Sequence, residues 1–218
     1  MKKLLTVLMV GAMWSVAAVA QTPAWNEIKG ELKTALDSTP DVKRGEAAFE
    51  QCTGCHRADA SGRISGAYPR LSGQHASVLM KQIVDIRSGR RSNVKMEPFI
   101  GDHVLDAYQI ADVALYLSKL PIAVENGKGP GNLLVKGKEL YVKDCVDCHG
   151  AKGEGSGPKF YPMVASQHYK YLLREVHFIR DGDRRNSNPD MVKVIKSYTT
   201  GELEAVADYM ASLAVPKQ

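Results

Sequence analysis

Apolar residues recur along this chain at helical rather than strand spacing. Leu79, Ile83 and Ile86 stand at i, i+4 and i+7, one stripe of an α-helix, and Leu172, Val176 and Ile179 repeat that stripe further on. A later stripe of Ile110, Val113, Ala114 and Leu117 is echoed by Leu203, Val206, Ala207 and Met210. Gly89 and Gly182 follow the earlier pair as helix stops. Two more helices are expected around residues 45–49 and 137–141. No segment alternates well enough to make a strand, so the fold class is all-α.

The echo has a fixed offset. Adding 93 carries Tyr68-Pro69 onto Tyr161-Pro162, Gln74-His75 onto Gln167-His168, and Arg87, Gly89 and Asn93 onto Arg180, Gly182 and Asn186. A period this long marks two homologous domains, expected at 41–120 and 133–218. The Pro/Gly-rich stretch 121–132 between them reads as a linker. Ahead of the first unit, 21–40 forms an extension in which Trp25, Ile28, Leu32 and Leu36 keep helical spacing. Packing on its own protein is the simpler expectation for that helix, and docking a partner is the alternative. Residues 1–20 carry two lysines, an apolar core and an Ala18-Val19-Ala20 end, the pattern of a signal peptide cut after Ala20; a retained anchor is the rival reading.

Units of about 80 residues struggle to bury a sufficient core. The loops 57–68 and 150–161 hold little apolar material, so something large and apolar must fill each unit. Charge gives no further lead. The net charge of +5 falls to +3 once Lys2 and Lys3 leave with the signal, with 27 basic against 24 acidic residues. That balance has no basic footprint for nucleic acid.

The chemistry lies in two strings, "CTGCH" from Cys52 through Cys55 to His56, and "CVDCH" from Cys145 through Cys148 to His149. C-x-x-C-H is a c-type haem attachment pattern. Two thiols on one helical turn can each form a thioether with a haem vinyl group, and the adjacent imidazole falls beneath the iron. Zinc sites place their cysteine pairs about 15–20 residues apart, far closer than these. A redox dithiol expects a strand-to-helix setting. Two disulfides would leave both histidines unexplained. The expected cofactors are therefore two covalently bound haem c groups.

A second axial ligand separates electron carriage from catalysis. Met80, Met96, His75 and His103 are candidates in the first unit. Met96 lies in "RSNVKMEPF" and Met191 in "NSNPDMVKV", stretches where a methionine is poorly explained as core, so these two are the expected ligands. The repeated His75 and His168 compete, although helix-terminal surface positions are expected for them.

The tandem C-x-x-C-H motifs, Tyr68-Pro-Arg-Leu-Ser-Gly-Gln74, Tyr161-Pro-Met-Val-Ala-Ser-Gln167 and the helices that follow resemble the dihaem cytochromes c4, over about residues 41–215. The resemblance implies two class I cytochrome c domains about a pseudo-twofold axis. It implies that the Pro69 and Pro162 carbonyls accept hydrogen bonds from His56 and His149, and that Met96 and Met191 are the distal ligands. The implied role is non-enzymatic electron transfer in the periplasm. Implied partners are redox proteins: a membrane cytochrome complex, a terminal oxidase, or a periplasmic dehydrogenase or reductase, with peripheral membrane association as an accompaniment. A dihaem enzyme of peroxidase or thiosulfate dehydrogenase type, or a dedicated electron-accepting subunit, is the alternative. Arg90-Arg91 and Arg184-Arg185 are candidate steering patches, propionate ligands or plain solvated charges.

Overall fold

The computed structural model describes residues 25–123 and 125–216. The predicted signal peptide lies outside the described residues. Ten α-helices and two 3₁₀ turns make up the described chain, with a lone β-bridge between Ser156 and Tyr161. The first unit holds α1 (Gly30–Asp37), α2 (Val42–Phe49), α3 (Thr53–His56), α4 (Ala76–Arg87) and α5 (Ala107–Lys119). The second holds α6 (Leu134–Asp144), α7 (Val146–His149), α8 (Tyr169–Asp181), α9 (Pro189–Ile195) and α10 (Thr200–Ser212).

Each unit closes by packing its first long helix across its last. In the first, α2 crosses α5; in the second, α6 crosses α10. The crossings are close because both carry glycine at the contact. A Cβ on Gly45 would stand 2.1 Å from the Asp112 carbonyl oxygen, and one on Gly137 would stand 2.1 Å from that of Ala205. Aromatic pairs flank each crossing, Phe49 with Tyr116 at 5.8 Å and Tyr141 with Tyr209 at 5.3 Å between ring centroids. The last helices start on capping boxes, Asp106 with Gln109 and Thr199 with Glu202, which satisfy orphan N–H groups at the first turn.

The first unit has one residue fewer between its crossing glycine and its first cysteine, seven positions against eight. The backbone absorbs the difference at Glu50–Cys52, which is 3₁₀, where α6 continues as α-helix to Asp144. Three residues rising about 2.0 Å each span the same ~6 Å as four rising about 1.5 Å. Both strings therefore reach the same place.

The N-terminal stripe is shorter than its spacing suggests. Helix α1 starts only at Gly30, burying Leu32 and Ala35 against α4 and α5, with Ile28 half exposed. Trp25 lies outside the helix. It stacks on Tyr161 of the second unit at 6.1 Å, under the Lys81 ammonium. The extension thus packs on its own protein and touches both units. The Pro/Gly stretch between units is equally tied down: Asn126 donates to the Gln167 and Ala211 carbonyls, Gly127 N–H to His168 Nδ1, and Gly131 N–H to Asp208.

Candidate haem sites and the seam between them

Each C-x-x-C-H string occupies one turn, α3 or α7, entered from a longer helix and left through a residue in the left-handed region. That exit residue is Arg57 (φ 68°) in the first unit and Gly150 (φ 78°) in the second. The chain then folds back so that a proline carbonyl meets the histidine ring. His149 Nδ1 lies 3.0 Å from the Pro162 oxygen, and His56 Nδ1 lies 3.4 Å from that of Pro69. As hydrogen bonds these require the proton on Nδ1, which leaves each Nε2 with a free lone pair and, among the described residues, no partner. Burial lowers the pKa of both rings, favouring the neutral, ligating form.

The fold-back needs glycine at one point in each loop. Gly62 (φ +74°) donates to the His56 carbonyl and Gly155 (φ +72°) to that of His149. A Cβ at Gly62 would sit 2.4 Å from the Pro69 oxygen, and one at Gly155 would sit 2.6 Å from that of Pro162. The carbonyl that orients the histidine is thus packed against a residue with no side chain.

None of the four cysteines is in a disulfide. Burial pushes the Cys52 thiol up to about 11 and the Cys145 thiol up to about 12, so both stay protonated and are weak metal ligands as free thiols. No cluster of three or more His, Cys, Asp or Glu side chains able to hold a bare metal ion occurs among the described residues. The donor set suits a tethered porphyrin and not a protein-ligated ion. Met96 is half-buried just ahead of the Glu97–Phe99 turn. Met191 is half-buried at the third position of α9, a helix started by Asn188 as cap and Pro189 at its first position.

His75 and His168 are not surface residues awaiting iron. His75 Nε2 lies 2.8 Å from the Glu154 carbonyl oxygen, and His168 Nε2 lies 2.8 Å from that of Ser61. These contacts cross between units and are reciprocal, since Ser61 and Glu154 are also 93 apart. Gln74 and Gln167 behave the same way. The Gln74 side chain accepts from Met163 N–H (2.9 Å) and donates to its carbonyl (3.0 Å), and Gln167 does the same to Arg70 at 2.9 and 3.0 Å. A pseudo-twofold axis therefore runs through the seam.

Beside it lies a charged layer. Arg91 and Arg184 meet on Glu175 at 2.9 and 3.0 Å, and Asp85 takes Lys81, Arg90 and the Asn186 amide. Burial works to raise the Glu175 carboxyl, but Arg184, Arg91 and Arg174 together hold it below its ordinary value. Arg90, Arg91 and Arg184 are thus committed to carboxylates and form no free steering patch.

An all-helical chain with two haem-attachment turns, each with its histidine pinned through Nδ1, is a tandem c-type haem protein. The family model "Cytochrome c" matches it twice, at 42–121 and 134–214. This chain belongs to the cytochrome c family and is a dihaem, cytochrome c4-like electron-transfer protein with two covalently bound haem c groups, not an enzyme. It is 35% identical to the thiosulfate dehydrogenase electron acceptor of Stutzerimonas stutzeri, over 74% of this chain and 78% of that one. It is 26% identical to cytochrome c4 of Pseudomonas aeruginosa, over 79% and 89%. The crystal structure of reduced cytochrome c4 from Pseudomonas stutzeri shares the fold with a TM-score of 0.72, at 24% identity, covering 80% of this chain and all of that one.

Proposed function

We propose that this protein works in the periplasm after signal-peptide removal, carrying single electrons between redox proteins. Cys52 and Cys55 tether one haem, and Cys145 and Cys148 the other. His56 and Met96 hold the first iron, and His149 and Met191 the second. The haem supplies a reversible one-electron couple; the chain supplies fixed geometry. Pro69 and Pro162 lock the imidazole planes, and second-shell bonds of this kind raise ligand basicity. The observation that carries this reading is the freed Nε2 in both units, each behind a C-x-x-C tether.

Methionine ligation is supported by position: neither thioether hydrogen-bonds among the described residues, and Met96 lies at the turn that follows α4 as Met191 lies in α9, which follows α8. The test is the ferric spectrum. Both haems should be low-spin with the far-red methionine-to-iron band, and each of Met96→Ala and Met191→Ala should remove about half of it. A high-spin haem in the unaltered protein would refute the carrier reading in favour of a catalytic one.

A second reading concerns the donor. The 35% identity to a thiosulfate dehydrogenase electron acceptor favours a thiosulfate-oxidising dehydrogenase as the protein that reduces this one. Rapid mixing of the ferric protein with such an enzyme and thiosulfate should reduce both haems faster than quinol-oxidising membranes do; the reverse order rejects that donor.

A further inference from the structure

The repeat is broken in the seam, at a position where the two equivalent side chains meet. Arg70 follows Pro69, and its counterpart Met163 follows Pro162. Both prolines accept from a proximal histidine, so positions 70 and 163 each sit one residue after the carbonyl that orients that ring. Arg70 is 2% exposed. Its guanidinium donates to the carbonyls of Ala165 (2.9 Å), Ser166 (3.2 Å) and Ser72, and lies 3.7 Å from Met163 Sδ. No carboxylate of the described residues lies within 4.0 Å of it. Lys81, Arg90, Arg91 and Arg184 of the charged layer all have acidic partners; among the described residues Arg70 has only dipoles.

We propose that Arg70 is a potential-setting residue, a single buried cation shared by both units that favours the ferrous state of both haems. Its three hydrogen bonds use one more N–H than a neutral amide could offer, yet none of them neutralises the charge, and burying a guanidinium that no carboxylate of the described residues answers is costly. A fixed cation lowers the energy of an added electron nearby. In a medium of effective dielectric about 20, a unit charge about 12 Å away changes such an equilibrium about tenfold. The proposal depends on the two haems but not on which partners they serve.

The test is a redox titration of the haem-loaded protein followed at visible wavelengths. Arg70→Met, which copies the other unit, should lower both midpoints, together giving about a tenfold smaller ferrous-to-ferric ratio at fixed ambient potential, about 59 mV for one electron. Arg70→Lys should keep them near the original values. Met163→Glu sets a carboxylate beside the guanidinium without removing it, and should lower both midpoints where Met163→Gln does not. This pair decides the matter even if Arg70→Met fails to fold. Unmoved midpoints in folded Arg70→Met or in Met163→Glu, with only a changed melting temperature, would overturn the proposal and leave Arg70 as interface glue.

Discussion

Replacing Gln167 by methionine keeps the side chain's volume and removes its polar atoms. Three bonds go: from Arg70 N–H (2.9 Å), to the Arg70 carbonyl (3.0 Å), and from His168 N–H (3.1 Å). Each loss leaves a buried group without a partner, at about 1–3 kcal/mol apiece. Gln167 is 4% exposed and Arg70 2%, so water does not replace the lost partners. For three such groups the docked state should weaken by about 3–9 kcal/mol. Within each unit the crossing helices are untouched, so calorimetry should resolve the single transition into two. The pseudo-twofold adds a stricter demand: Gln74→Met should weaken the seam to the same degree within about 1 kcal/mol. A single transition moved by less than about 1 kcal/mol, or a large effect from only one glutamine, would refute the reciprocal clamp.

Gly137→Ala should destabilise the second unit by about 2–3 kcal/mol, because a Cβ 2.1 Å from a backbone oxygen forces the helices apart, while Gly201→Ala, with nothing within 4 Å, should stabilise by about 0.5 kcal/mol; urea midpoints of the two variants should move in opposite directions. Gly155→Ala should push the Pro162 carbonyl off His149 and raise the midpoint of the second haem alone, since a weaker Nδ1–H bond makes a less basic ligand; a potentiometric titration checks it. Burial first, then the charge of Arg70, lowers the His168 pKa, so the folded state holds the neutral ring. Its contribution to stability is whole above the unfolded value of about 6.5 and drains away as pH falls below it. Urea midpoints measured across that range should slope for the parent protein and slope less in His168→Gln, the remainder belonging to His56 and His149, which burial depresses in the same direction.

Much of the fold was legible because burial in helices leaves a period. The stripes at Leu79 and Ile110 and their echoes map onto α4, α5, α8 and α10, and the two pentapeptides announce the haem turns. The seam was not legible. Gln74, His168 and Arg70 are polar, and a pattern reading places polar side chains in water, whereas here each is satisfied by backbone groups of the other unit. One signal was present: Gln-His recurs at the repeat offset inside a loop, where a merely solvated pair has no reason to persist. Helix α9 escaped notice because seven residues are too few for a period, although Asn188-Pro189 is a start signal. Trp25 fell in step with a helical stripe by spacing alone, and its true neighbour, Tyr161, is 136 positions away.

The reciprocal glutamines and histidines are the kind of pairing that two copies of one polypeptide make across a true dyad, where every contact must occur twice. A side chain lying on such a dyad would also occur twice, so a symmetric pair could not place one guanidinium at its centre without a second repelling it. Joining the halves by a peptide tether lifts that restriction. The covalent link lets this molecule be even-handed in its architecture and lopsided in its charge.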